Sequence, residues 1–261
     1  VLPGDWRVPG REPLDRARLG RWAHALGGSG VSTGREDSDL ALSRVEAPEG
    51  RTATGHQCYV MLDKSPAGIS DRAKRFGRTF WQLRTPLTRN ALAEVPYGLD
   101  NGCFSGLLHP AWERLVQEAR ETPPLWVAAP DVVGSARRTM ELWKAFAGRL
   151  HGVPKALVLQ DGIEDFDLPW KDLAAVFVGG TDAFKCSAAA RDVAITARLM
   201  DKWVHVGRVN TQDRAYFWRN LAHSVDGSGA SRYDHMLTAV LAGLDGFDPR
   251  GEQLSLEFGA A

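Results

Sequence analysis

The chain has 261 residues, 44% of them hydrophobic and 25% charged, with nine tryptophans and 32 Lys plus Arg against 32 Asp plus Glu. That length suffices for one large core of the size α/β barrels reach as a single domain, and the apolar content excludes wholesale disorder. The balanced charge excludes a global positive field toward polyanions, so any nucleic-acid footprint has to be a local patch.

In chain order, residues 1–55 are rich in Gly, Pro, Ser, Arg and Asp, and only Leu14 to Leu26 reads as a short helix before GGSGVSTG interrupts it. They are read as an appendage to a catalytic domain over residues 56–247, with residues 248–261 as a tail. The N-terminal VLPGDWRVPGREPLDR has no secretory apolar stretch, and no run approaches the roughly 18 apolar residues of a membrane span. Val1 stands where an initiator would, so the numbering is expected to omit it. Cys58, Cys103 and Cys186 are odd in number, scattered and without metal-ligand spacing. The expectation is a soluble, cytoplasmic protein with reduced thiols, no metal and no cofactor.

From Cys58 onward, short apolar runs alternate with helical stretches, the pattern of βα units around a parallel sheet. Strands are predicted at 58–62, 79–83, 97–100, 125–130, 155–160, 174–180, 202–207 and 223–226. Helices are predicted at 107–121, 135–150, 183–201, 211–222 and 232–243, with weaker turns in 69–77 and 163–172. Met140, Trp143, Ala147 and Leu150 recur at helical spacing behind Ser135, a suitable N-cap. Eight strands with intervening helices predict an α/β fold of the TIM (β/α)8 type.

In such a barrel the active site is built where the strands end. Polar or glycine signatures fall there: Asp100 in GLDNGCFSG, Asp131 in APDVVGS, Gln160 in VLQDG, Gly179 and Gly180 in VFVGGTD, Arg208 and Asn210 in HVGRVN, and Asp226 in SVDGSG. Singly, such an Asp serves equally as a helix cap or turn former, and such a Gly as a left-handed turn. Jointly, three carboxylates and a glutamine at one mouth favour function, because clustered like charge is costly. There is no P-loop, no HxH after the first strand and no lysine at a strand end, since Lys155 opens a strand and Lys185 lies in a following helix. What remains is chemistry at a glycosidic carbon, where one carboxylate attacks and another moves a proton.

These segments resemble, in order from about residue 79 to 235, the tRNA-guanine transglycosylases and more closely their DNA-modifying relatives, the DpdA-type 7-deazaguanine DNA transglycosylases. LDNGCFSG is similar to the segment of the acid/base aspartate, PDVVGS and LVLQDG to the base-reading aspartate and glutamine, FVGGTDAFK to the glycine turn, and SVDGSGASRYD to the nucleophile segment. The zinc-binding insertion of the tRNA enzymes has no counterpart, since no cysteine follows Cys186. The resemblance therefore implies a guanine-exchanging enzyme on DNA: Asp226 as nucleophile, Asp100 as acid/base, and Asp131, Gln160, Gly179 and Gly180 reading the base. Asp100 then needs a pKa above the free value of about 3.9, from burial or flanking charge.

Duplex DNA with a flipped base, a free 7-deazaguanine base such as preQ0 and accessory modification proteins are the implied partners, with no membrane. Arg208, Lys185 and Arg232 are expected to hold flanking phosphates, and Trp126, Phe104, Tyr233 and Phe184 are either stacking or core aromatics. Lys64, Arg72, Lys74, Arg75, Arg78, Arg84 and Arg89 form a stretch that reads as a phosphate track or an ordinary solvated face. A zinc-free tRNA enzyme, an N-glycosyl hydrolase and a non-catalytic nucleic-acid-binding barrel are the rival readings.

Overall fold

The computed structural model describes residues 57–88, 90–103 and 109–249, so the expected appendage over 1–55 and most of the tail lie outside the described residues. Eight parallel strands close a barrel in chain order: β1 (Tyr59–Leu62), β2 (Trp81–Arg84), β3 (Tyr97–Leu99), β4 (Trp126–Ala128), β5 (Lys155–Leu159), β6 (Ala175–Val178), β7 (Trp203–Val206) and β8 (Ser224–Asp226). Closure pairs β1 with β8, setting Tyr59 opposite Ser224 and Met61 opposite Asp226. Every predicted strand is present with bounds shifted by at most two residues, β2 running one residue past its expected end to Arg84.

Helices cover the barrel: α1 (Pro66–Phe76), α2 (Ala111–Glu121), α3 (Ala136–Phe146), α4 (Asp182–Lys185), α5 (Ala188–Leu199), α6 (Gln212–Trp218), α7 (Ser228–Arg232) and α8 (Asp234–Leu244). Hydroxyl caps set many of their starts. Ser65, Ser135, Thr181, Ser187 and Thr211 each accept a backbone N–H three residues on, satisfying a donor the helix leaves open. Two helix expectations change. The stretch 183–201 breaks at Cys186 and Ser187, because Ser187 caps a second helix, and 69–77, expected as a weaker turn, belongs to the full helix α1; 163–172 holds two 3-10 turns, Ile163–Asp165 and Trp170–Asp172, as expected. Pro169 between those turns disfavours a helical residue before it.

Alternation along each strand splits the core in two. Val60, Leu62, Val127, Leu157, Val176, Val204 and Val225 face the helices, whereas Tyr59, Met61, Trp81, Trp126, Ala156 and Val158 fill the barrel. Tyr59 stacks on Trp81 at 3.7 Å, and Trp126 meets Phe177 edge-on at 5.5 Å. Gly98 makes room for Trp126, since a Cβ there would come within 2.3 Å of the indole. Trp126 is thus core, with no exposed surface on which a base could stack. Trp126→Ala empties the barrel centre and is expected to cost about 3–5 kcal/mol in urea denaturation; a loss below about 1 kcal/mol would mean a collapsible interior.

Barrel closure also settles the basic stretch. It packs α1 against the last two helices, so Arg72 bonds the Ser231 and Arg232 carbonyls and pairs with Asp234 at 2.6 Å. Arg75 pairs with Asp234 and Arg78 with Asp245, while Arg84 reaches Glu118 at 3.1 Å. Four of the arginines are engaged within the fold, as an ordinary charged face would have them. Arg89 lies outside the described residues. No helix among the described residues is long and apolar enough to cross a membrane.

Candidate active site

Continuing each interior face by one step of two residues carries it out of the barrel at the C-terminal end. Met61 leads to Asp63, Leu83 to Thr85, Gly98 to Asp100, Val158 to Gln160, Phe177 to Gly179 and Ser224 to Asp226. All of these end residues border one cavity of about 470 Å³. Asp131, Gly180, Lys185, Arg208 and Arg232 border it too, so nine of the residues singled out in the sequence, though not Asn210, meet in a single mouth.

Asp131 and Gln160 form the most ordered part. The Gln160 amide donates to Asp131 Oδ2 at 2.6 Å, and Asn101 Nδ2 donates to Asp131 Oδ1 at 2.7 Å and to the Ala129 carbonyl at 2.6 Å. Gln160 Oε1 accepts from the Gly134 N–H at 2.8 Å, which fixes which way its amide points. Burial holds the Asp131 carboxyl above the usual carboxylate range, although the bonds from Asn101 and Gln160 act to lower it. Gly179 is required beside them: a Cβ would lie 2.8 Å from both Gln160 Nε2 and Val158 Cγ1. Gly179→Ala should therefore break the Gln160 to Asp131 bond and cost about 1–3 kcal/mol, measured by thermal or urea denaturation, because it strands a buried acceptor; wild-type stability would refute this.

Asp100 follows β3, the strand next to the one that leads to Asp131. Its Oδ1 accepts the Asn101 N–H at 2.8 Å, yet burial, then the charges of Asp226 and Asp131, raise its pKa to about 7. An acid poised there can both give and take a proton at neutral pH.

Asp226 closes a line of polar groups that runs back into the barrel. Its Oδ1 lies 3.0 Å from His205 Nε2, His205 Nδ1 lies 2.8 Å from Ser224 Oγ, and Trp203 Nε1 donates to Ser224 Oγ at 2.9 Å. His205 and Ser224 are wholly buried, and the imidazole is held by Trp126 and Phe177 at 4.5 and 4.6 Å between ring centres. This order is not a serine-nucleophile triad, since the aspartate faces the cavity and the serine is sealed beneath.

Cations border the same mouth. Lys185 is only 2% exposed, with Nζ bonded to the Gly180 carbonyl at 2.7 Å, and burial holds its pKa below the usual lysine range. Its ammonium is thus set within the mouth, whereas Arg208 and Arg232 are exposed. Arg208 has φ +59, a left-handed conformation uncommon outside glycine, and its carbonyl accepts from Arg214 at 2.9 Å.

Other strand-end polar residues keep the structural role open to them. Asn210 Oδ1 caps α7 by accepting from Gly229 at 2.8 Å and Ala230 at 3.2 Å. Among the proposed stacking aromatics, Phe184 is buried, Tyr233 is 53% exposed and stacked on His235, and Phe104 lies outside the described residues. Exposed Leu87 and Val133 border the cavity instead. Sequence reasoning missed these two together with Asn101, His205 and Asp63. A histidine in an otherwise apolar strand was the available signal for His205. Asp63 Oδ1 accepts from Thr88 and Asn90, both at 2.8 Å, and its N–H donates to Ser231 Oγ at 3.1 Å.

No family model and no curated protein matches the chain. A solved structure from Aquifex aeolicus VF5, described as a structural study, is similar to it at 13% identity, with a TM-score of 0.41, covering 73% of this chain and 92% of that one.

Proposed function

We propose that this barrel exchanges guanine in DNA for a 7-deazaguanine base through a covalent intermediate on Asp226, as the DpdA-type resemblance implies. The supporting observation is that Asp100, with a pKa near 7, and Asp226 border one cavity that also holds the Asp131 and Gln160 pair. In the first step an Asp226 oxygen bonds to C1′ as the bond from C1′ to N9 breaks. The bonding electrons pass to N9, and protonated Asp100 supplies the proton that completes free guanine. In the second, ionised Asp100 takes the ring N–H proton of the incoming base, whose nitrogen bonds to C1′ and releases the Asp226 carboxylate. Two inversions give net retention.

Asp131 suits the reading of a purine edge because each of its oxygens has accepted one hydrogen bond and retains a second acceptor site for ring and exocyclic N–H groups. A base lacking those donors leaves the carboxylate unmatched, a penalty that polar sites convert into roughly 10⁴-fold discrimination. In this reading Arg208 and Arg232, exposed at the mouth, hold the phosphates beside a flipped nucleotide. The test is incubation with 7-cyano-7-deazaguanine and either duplex DNA or tRNA, digestion to nucleosides and mass spectrometry. A deazaguanine deoxynucleoside is expected. Product in tRNA alone selects the tRNA reading, abasic sites select hydrolysis, and no change in either nucleic acid rejects glycosyl chemistry.

A further inference from the structure

The geometry points to His205 as a positioning residue that holds Asp226 by one oxygen and leaves the other to the cavity, an inference that rests on Asp226 being the attacking group. One assignment of protons satisfies every atom of the line. With Asp226 ionised and the imidazole neutral, the carboxylate can only accept, so Nδ1 has to be bare and takes the Ser224 hydroxyl proton, while Ser224 Oγ accepts from the donor-only Trp203 Nε1. A bare Nδ1 places the imidazole proton on Nε2, which donates to Asp226 Oδ1 at 3.0 Å. The tautomer just beneath the mouth thus decides which Asp226 oxygen is bound and which is open.

The ring itself has little freedom. It lies between Trp126 and Phe177, both about 4.5 Å away, and it has no exposed surface. Neighbouring residues keep the carboxylate end clear as well. Gly207 replaces any side chain between Phe177 and Asp226, since a Cβ there would fall 2.7 Å from the phenyl ring and 3.4 Å from Asp226 Oδ1. A carboxylate fixed in this way attacks along one direction, and misplacement of a reacting atom by an ångström costs about 10²-fold. Because His205 is sealed away from the cavity, it touches neither base nor sugar and acts only through Asp226.

Two measurements on the intact chain test this. Imidazole ¹⁵N spectra, which need no substrate, should show His205 protonated at Nε2 and bare at Nδ1, with Asp226→Asn moving the first signal and Ser224→Ala the second. Capture of the glycosyl-enzyme from a guanine-containing duplex oligonucleotide, acid-quenched and read as added mass on the Asp226 peptide, should slow about 10²-fold in His205→Phe. His205→Gln, which restores a donor at the Nε2 position, should recover most of that loss; if the Phe variant does not fold, His205→Asn, whose donor falls short of Asp226, replaces it. A proton on Nδ1, an Nε2 signal indifferent to Asp226→Asn, or unaltered capture without the donor overturns the assignment. The expected spectra with no adduct in the wild type would keep the His205 to Asp226 arrangement and reject the glycosyl chemistry instead.

Discussion

Asp226→Asn is expected to lower base exchange by on the order of 10⁴-fold or more, because the amide occupies the same volume and cannot form the glycosyl ester. The fold should persist, since the Asn oxygen still accepts from His205 Nε2 and the strand pairing with Met61 is made by backbone. The variant has a second signature. Its charge is one of the causes that raise Asp100, so removing it should lower the Asp100 pKa from about 7, which carboxyl ¹³C titration reads directly. Full activity in Asp226→Asn would remove the covalent mechanism. An unmoved Asp100 titration would show that burial and Asp131 set its pKa without Asp226.

Asp100→Asn should cost about 10²- to 10⁴-fold in exchange, the usual range for a lost proton donor and acceptor. In the wild type, kcat/KM should fall as pH rises through about 7, where the free protein loses the Asp100 proton needed by the departing base. The same substitution is expected to stabilise the protein at alkaline pH. Unfolded Asp100 releases its proton near pH 4 and folded Asp100 near pH 7, so within that window the folded state binds more protons. Stability contributed by the neutral carboxyl is therefore present below about pH 4 and lost as pH rises through about 7. Asp100→Asn cannot ionise and should exceed the wild-type Tm above pH 7 by several degrees, at roughly 2–4 °C per kcal/mol, with the gap closing toward pH 4. A wild type whose relative stability rises across that window would show the opposite linkage.

The strand-end reading succeeded where local order carries the information. Strands of a parallel barrel are buried on both faces, so KALVL and AVFV stand out as continuous apolar runs, and the first polar residue after each marks the mouth. Asp100, Gln160 and Asp226 were legible for that reason. Lys185 was legible as a cation but not as a buried one, because its burial comes from the turn at Gly180 and from Trp218, whose indole donates to the Lys185 carbonyl at 3.0 Å. Trp126 looked usable for stacking because strand parity in a run of apolar residues does not reveal which face turns inward; Gly98 on the neighbouring strand decides it.

What the amino-acid order determined by itself was the number of strands, their sequence around the barrel, the Ser135 cap and the set of polar residues at one end. What only the tertiary structure decided were the relations made by closure. The Asp63 N–H meets Ser231 Oγ 168 residues away, Arg72 is drawn to Asp234, and His205 finds Ser224 and Asp226 only because β7 and β8 are neighbours in register. Periodicity is a property of single segments, whereas pairing across the barrel, and with it the protonation of Asp100 and the orientation of Asp226, depends on which segments the closed sheet sets side by side.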